Sequence, residues 1–213
     1  FGNLDALMGK AVAGEMAARM LMRGTTSRTR QQIDDELALL QSDLRIYGWA
    51  SGLSASIETT REKLPDVLRF ILGRLDAVAA DVAEQGELAL AAKERATIVL
   101  GTALKLLDDA FTIDDAGTMA IVDDEVARIV EAQAVMMPDW LGVPESDLAC
   151  LDYSRYKVRG FYTRTDALTR YFRAVAWLQS IPFRLSHDVE LLSILMLGAC
   201  VVSDGSEADE ARY

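Results

Sequence analysis

Apolar positions recur at helical spacing over 10–23, where Val12, Met16 and Met20 share a face with neighbouring alanines, and Gly24 ends the run. Thr25-Thr26-Ser27 offers caps for a second helix over about 28–41, with Ile33, Leu37 and Leu40 inward and Gln31, Asp34 and Asp35 outward. The period then changes to two. Leu44, Ile46 and Gly48 alternate with Asp43, Arg45 and Tyr47; beyond Ser51-Gly52, Leu53, Ala55 and Ile57 alternate with Ser54, Ser56 and Glu58. Two alternating runs joined by a Ser-Gly turn predict a β-hairpin. A third helix opens near Thr60, tolerates Pro65 in its first turns, and buries Val67, Leu68, Ile71, Leu72 and Leu75.

From residue 77 the pattern predicts helices over 77–108, 118–135, 164–180 and 187–202, and no strand. Residues 136–163, with Pro138, Gly142, Pro144 and Gly160, read as irregular, and Phe1 to Met8 as a loop or strand end. The last residues, 203–213, are small, acidic and aperiodic, the pattern of a frayed tail. The expected fold class is helix-dominated α+β. A helix-helix-hairpin-helix unit over 1–76 is expected to pack on a mainly helical body over 77–202. The longest apolar run, Leu191 to Val202 broken only by Ser193, is too short for a bilayer, which needs about twenty residues, and so predicts a core helix.

Composition supports a soluble globular chain: 51% apolar and 26% charged residues exclude disorder, and only four prolines favour helix. No charged-then-apolar leader follows Phe1, so nothing visible routes the chain to secretion. The net charge of −11 weighs against nucleic acid and against an anionic membrane surface, because phosphates attract the opposite sign. The excess sits in the middle third: residues 77–151 hold fifteen acids and four bases, whereas the segments on either side balance. Surface helices and the pairs Asp108-Asp109, Asp114-Asp115 and Asp123-Asp124 account for it as a solvated face. Cys150 and Cys200 lie in apolar surroundings, so two buried free thiols are expected; nothing supports a disulfide between them.

No catalytic or metal site assembles from the residues. Gly9-Lys10 is followed by Ala11 where a phosphate loop needs a Mg²⁺-binding hydroxyl. A calcium loop with Gly117 at its sixth position would place Thr112, Ala116 and Asp123 at the first, fifth and twelfth, too few oxygens to hold the ion. His187 is the only histidine, and Ser186-His187-Asp188 reads as a helix start with Ser186 as cap and Asp188 against the dipole. No nucleophile elbow accompanies it. No cofactor is expected. The densest feature is 152–184, where Tyr153, Tyr156, Phe161, Tyr162, Phe172 and Trp177 interleave with arginines. Arginine stacked on rings can hold single-stranded nucleic acid or a carboxylate ligand. The competing account, which the charge asymmetry favours, has the rings in the core and the arginines paired with the acidic middle third. The candidate contact surface is Arg155, Arg159, Tyr162, Arg164, Arg170, Arg173 and Trp177, for a protein partner or a second copy of the chain.

Two family resemblances overlie these patterns. Met20-Leu21-Met22-Arg23-Gly24-Thr25-Thr26, Thr29-Arg30-Gln31-Gln32-Ile33-Asp34-Asp35-Glu36-Leu37 and Gly52-Leu53-Ser54-Ala55-Ser56-Ile57-Glu58-Thr59-Thr60-Arg61-Glu62-Lys63-Leu64-Pro65 resemble the pitrilysin/insulinase metallopeptidases. That family's catalytic repeat carries H-x-x-E-H just before the Gly-Thr turn. Registered on Gly24-Thr25, its histidines fall on Glu15 and Arg19 and its base on Ala18. The resemblance therefore implies the noncatalytic repeat, whose α+β sandwich helps close a peptide chamber. The chain is expected to be no enzyme by itself: a noncatalytic structural or interaction module, or alternatively the accessory, zinc-free half of a peptidase chamber working with a catalytic subunit.

The second resemblance covers about 88–185. Lys93-Glu94-Arg95-Ala96, Ala103-Leu104-Lys105-Leu106-Leu107 and Val126 to Ala132 are similar to a helical family known as domain of unknown function 3160. Its sharpest stretch runs from Asp152-Tyr153-Ser154-Arg155-Tyr156-Lys157-Val158-Arg159-Gly160 through Trp177-Leu178 to Ile181-Pro182-Phe183. The family typically has Pro at the place of Val158 and His at the place of Phe161. The two resemblances meet near residue 76, a junction that a composite or designed chain would explain. One family aligning across residues 60–100 would remove that junction.

Overall fold

The spacing of apolar residues sets the helices, and glycine and left-handed residues end them. A computed structural model describes residues 30–49, 52–142, 144–145, 150–184 and 187–201. The helix expected over 10–23, the segment Phe1 to Met8, the positions Glu15, Ala18 and Arg19 and the tail 203–213 lie outside the described residues. Six α-helices and two small antiparallel sheets are described, a helix-dominated α+β fold as the patterns predict. They are α1 (Arg30–Leu39), β1 (Ser42–Trp49), β2 (Gly52–Thr59), α2 (Leu64–Asp81), α3 (Glu87–Leu107), α4 (Ala116–Glu131), β3 (Val135–Met136), β4 (Leu151–Asp152), α5 (Asp166–Ser180) and α6 (Asp188–Val201). Two compact units divide the chain: 1–92 with 184–213, and 93–183. The expected boundary after residue 76 falls inside α2, whose helical period continues unbroken to Asp81.

In the first unit, β1 and β2 pair with Leu44 opposite Ile57, Ile46 opposite Ala55 and Gly48 opposite Leu53, so the two alternating runs are in register. Gly52 already belongs to β2, one residue earlier than the Ser-Gly turn implied. At the base of the hairpin Ser42 Oγ lies 2.9 Å from Thr59 Oγ1. Helix α2 starts with Pro65 in its first turn and buries Leu64, Val67, Leu68, Ile71, Leu75 and Val78, a stripe repeating every three or four residues. It packs against α6, whose Ile194, Met196 and Cys200 are buried. The start of α6 is fixed by Glu190, 3% exposed, which accepts from the Arg184 backbone N–H at 2.7 Å and from Arg184 Nε at 3.0 Å. Ser193, also buried, donates to Ala92 O at 2.9 Å.

The helix expected over 77–108 is interrupted. A 3-10 turn at Ala83–Gln85 ends at Gly86, whose φ of +57° suits a residue without Cβ. In the second unit α3 buries Arg95, Ala96, Ile98, Val99, Leu100, Thr102, Ala103, Leu104 and Leu106, so it is enclosed on most sides. Gly101 lets it be approached closely: a Cβ there would stand 2.7 Å from Ile113 Cδ1 and 3.2 Å from Val122 Cγ2. Helix α4 is capped by Asp115, which accepts from the Thr118 N–H at 2.7 Å; that bond holds the Asp115 carboxyl below its ordinary pKa. The helix stops at Glu131, before the expected 135, because Ala132 turns left-handed at φ 52°. That reversal leads into β3, which pairs with β4 through Val135–Asp152 and Met136–Leu151. Strand is therefore present beyond residue 77, in pieces too short to show a period of two. Further 3-10 turns at Asp139–Leu141, Tyr153–Tyr156 and Gly160–Thr163 occupy the stretch expected to be irregular. Among the described residues no helix is long and apolar enough to cross a membrane.

Both cysteines are free, as expected, but only Cys200 is buried; Cys150 is exposed. Burial pushes the Cys200 thiol up to about 12. The thiolate is the reactive form, so the folded chain should consume one equivalent of an aromatic disulfide reagent, at Cys150. The second equivalent should be consumed only after denaturant is added. Equal rates at both thiols in the native chain would show that the α6 core is open.

Candidate functional site

The segment 152–184 divides into an inward and an outward set. Helix α5 is capped by Thr165, which accepts from the Leu168 N–H at 3.2 Å, and buries Leu168, Ala174 and Trp177. Trp177 is wholly buried and donates from Nε1 to Val99 O at 2.9 Å. Tyr153 and Tyr156 are 0% and 1% exposed, and their rings meet edge-on with centroids 5.8 Å apart. Tyr156 in turn lies 6.3 Å from Trp177, and Trp140 lies 6.0 Å from it on another approach. Trp177 thus joins the aromatic core and has no surface to offer, which corrects its place in the expected contact set. Its indole falls on the same helix face as Ala174, and a helix face is either inside or outside.

Behind these rings sits a carboxylate that the composition hides. Glu125 on α4 is 0% exposed; its Oε2 accepts from Tyr153 OH at 2.6 Å and its Oε1 from Arg128, one helical turn on. Thr118, Val122, Glu125 and Ile129 are the buried residues of α4, spaced four, three and four apart. Asp123-Asp124-Glu125 reads as one solvated acidic run, yet the spacing alone would have placed its third member in the core. Burial opposes the charge on Arg128, and Glu125 beside it overcomes that and raises the guanidinium pKa. Burial first, then the bond to Glu125, raises the Tyr153 phenol well above its ordinary value. Burial likewise raises Tyr156, which shares a hydrogen bond with Ser180.

The outward set is a ledge on two 3-10 turns that pack against α5. Arg155, Lys157 and Arg159 are exposed and make no salt bridge with a described residue. Gly160 takes φ +61° and turns the chain so that Phe161 and Tyr162 follow with 54% and 36% exposure. Their rings stand edge-on at 5.8 Å, and Tyr162 lies 5.1 Å from Phe172 of α5. The Arg164 guanidinium lies over the Phe161 ring at 5.0 Å. Thr169 Oγ1 donates to Tyr162 O at 3.0 Å and Thr163 Oγ1 to Gly160 O at 2.8 Å, so the turn is held at both ends. Of the other expected contact residues, Arg170 is ion-paired with Asp109. Arg173 is half-buried and donates to Val130 O at 3.3 Å; burial lowers its pKa. The structure therefore brings Arg155, Arg159, Tyr162 and Arg164 to the surface and commits Arg170, Arg173 and Trp177 to internal contacts.

His187 precedes α6 and its carbonyl accepts the Leu191 N–H at 2.9 Å; the expected cap, Ser186, lies outside the described residues. Among the described residues no three His, Cys, Asp or Glu side chains come together as a metal site would require.

Fold and surface together define a helix-dominated α+β chain that carries an exposed arginine–aromatic ledge on an enclosed helical core. The family described as "Protein of unknown function (DUF3160)" matches residues 56–212, and the chain belongs to that family. The match runs across residues 60–100, so one family accounts for both sides of the junction expected near residue 76. No curated protein and no solved structure matches the chain.

Removing the Tyr153 hydroxyl leaves one buried oxygen of Glu125 without its donor, and removing the carboxylate leaves the buried Tyr153 hydroxyl without its acceptor. Tyr153→Phe should cost about 1.5–3 kcal/mol and Glu125→Ala about 2–4 kcal/mol, read from urea titrations followed by circular dichroism. Changes below about 0.5 kcal/mol in both would show that the interaction carries no weight. The raised phenol values stabilise the protonated tyrosines. Their contribution is therefore complete below the unfolded tyrosine pKa, about 10, and is lost as pH rises through the folded values. In a tyrosinate absorbance titration of the native chain, Tyr153 and Tyr156 should ionise at higher pH than an exposed tyrosine does, and Tyr153→Phe should remove part of that late change.

Proposed function

We propose that the chain is a noncatalytic structural or interaction module whose contact surface is the ledge formed by residues 155–164. The observation that carries the proposal is the pairing of exposed Phe161 and Tyr162 with four cations, Arg155, Lys157, Arg159 and Arg164, on turns fixed by side-chain hydrogen bonds. Exposed aromatic residues and arginine are the residue types enriched where proteins bind one another. A ledge held at both ends also loses little conformational entropy when it is covered. A photoreactive phenylalanine analogue placed at Tyr162 should crosslink a partner in native cell extract, and one placed at exposed Leu39 should not. Adding Arg155→Glu, Arg159→Glu and Arg164→Glu should abolish the adduct. Equal labelling from both positions, or adducts indifferent to the charge reversal, would remove the ledge as the contact surface.

A second reading, an accessory, zinc-free half of a peptidase chamber, is supported by the pitrilysin-like words around the hairpin and the start of α2. The antiparallel hairpin from Ser42 to Thr59, followed by a helix with Pro65 in its first turn, is compatible with the α+β repeat that those words imply. The family match begins at residue 56, so it overlaps the last of these words and the start of α2, and leaves the words before residue 56 to this reading alone. Mixing the chain with a subunit bearing H-x-x-E-H should then restore peptide cleavage that neither shows alone. Stoichiometric zinc in the isolated chain, with cleavage blocked by a chelator, would exclude both readings.

A further inference from the structure

The ledge does not stand alone on its unit. Seven large apolar side chains are exposed among the described residues, and five of them, Val130, Val135, Met136, Phe161 and Tyr162, belong to the unit 93–183. Two of them, Val130 and Tyr162, are linked through consecutive residues of α5. Arg173 donates to the carbonyl of Val130 at the end of α4, and the preceding residue, Phe172, carries the Tyr162 ring. The outer side of α4 is acidic: Asp123, Asp124 and Glu131 are exposed, and the Asp124 carboxylate, 74% exposed, lies 3.9 Å from Arg128. Helix α4 packs against the 3-10 turn that begins the ledge. One unit therefore carries a cationic strip and, on the outer side of the helix packed against its first turn, an anionic one, with exposed apolar residues on both elements.

Adjacent patches of opposite sign make a surface complementary to itself under a two-fold rotation, which sets each patch against the opposite one on the other copy. The alternatives fit less well. A phosphate backbone or an anionic lipid that reached the ledge would also face the acids of α4 and a chain of net charge −11. An acidic protein partner would satisfy the ledge and be repelled by α4. We propose that this face joins two copies of the chain about a two-fold axis, the ledge of each lying on the acidic side of α4 of the other. Phe161, Tyr162 and the end of α4 form the apolar centre. The proposal rests on the ledge being a contact surface and adds the identity of what it contacts.

The test uses the purified chain of 213 residues. Sedimentation equilibrium should show a monomer–dimer equilibrium at ~50 mM salt whose dissociation constant rises about tenfold or more at ~0.5 M. Arg155→Asp with Arg159→Asp should give a monomer, since neither arginine has an internal ion pair to lose. Asp123→Arg with Asp124→Arg should also give a monomer. An equimolar mixture of the two variants should dimerise again, because each then offers the charge that the other lacks. Circular dichroism equal to that of the native chain shows that the variants are folded; a variant that fails this check is replaced by Phe161→Ser with Tyr162→Ser, which removes the apolar centre and should also give a monomer. A native chain that stays monomeric at ~0.1 mM and low salt overturns the dimer, as does a dimer unchanged by every reversal or a mixture that stays monomeric. If the monomeric chain still crosslinks through Tyr162 in extract, the contact surface survives and only its self-association is lost; an acidic protein adduct there identifies the other occupant.

Discussion

Glu125 sits at the point where the second unit has the least freedom. A carboxylate without solvent must find hydrogen-bond donors among its neighbours, and the two it finds differ in kind. Arg128 is local, one turn along the same helix, and would be there in any register of α4. Tyr153 comes from a different part of the chain, on the 3-10 turn beyond β4. That long-range bond decides where the turn begins, and the turn decides where the ledge lies. Apolar packing tolerates small slips because it has no direction, whereas a phenol must point at its acceptor. The buried acid thus supplies position that the aromatic core around it does not.

The neighbouring aromatic residues then sort themselves by which side of that turn they occupy. Tyr153 and Tyr156, three apart on a 3-10 turn, project inward together and reach Trp177, whose indole is fixed by a carbonyl of α3. Five residues beyond Tyr156 the chain has reversed at Gly160, and Phe161 and Tyr162 emerge on the other side. The arginines follow the same division. Those on α5 find an acid or a carbonyl within reach, Arg170 at Asp109 and Arg173 at Val130, whereas those on the turns do not. A segment of uniform composition therefore gives a core and a surface.

That division explains what was legible in the sequence. Where a regular period runs along an element the residues show it: the buried stripe of α2 and the paired strands of the hairpin stand where the spacing puts them. The segment 152–184 has no single period, since two 3-10 turns, a glycine reversal and a helix succeed one another, so its composition could be counted but not assigned to faces. Trp177 therefore fits a contact set as well as the core that the charge asymmetry favours, and the structure places it in the core. Glu125 is hidden for a different reason: beside Asp123 and Asp124 its charge suggests a solvated side, although the four buried residues of α4, spaced four, three and four apart, include it. β3 and β4, two residues each, are held by tertiary pairing and leave no alternation to find. Gly86 carried a signal that the long apolar run of α3 masked, and the same run obscured the division of the chain into its two units. The wider extent of the family match has a similar origin. Short words of identical residues before Pro65 resemble one family and those after residue 88 another, while one family match from residue 56 to 212 ties the start of α2 to the helices that follow it.

The acidic balance of the chain gives the ledge its meaning. Scattered arginines on a chain of net charge −11 would be absorbed into ion pairs with the nearest carboxylates, as Arg170 is. Arg155, Lys157 and Arg159 avoid that fate because no acid occurs between Asp152 and Asp166, and Asp152 is engaged in capping the turn through the Ser154 N–H at 3.0 Å. Three neighbouring cations in water repel one another and gain nothing from the fold, so their clustering is a cost of the isolated chain. It is offset only where an anion comes from elsewhere. An anion that must also tolerate the acids of α4 close by has to be a shaped one, carrying its charge on one side and a cation or an apolar surface on the other. A protein surface meets that condition, and a uniform polyanion does not.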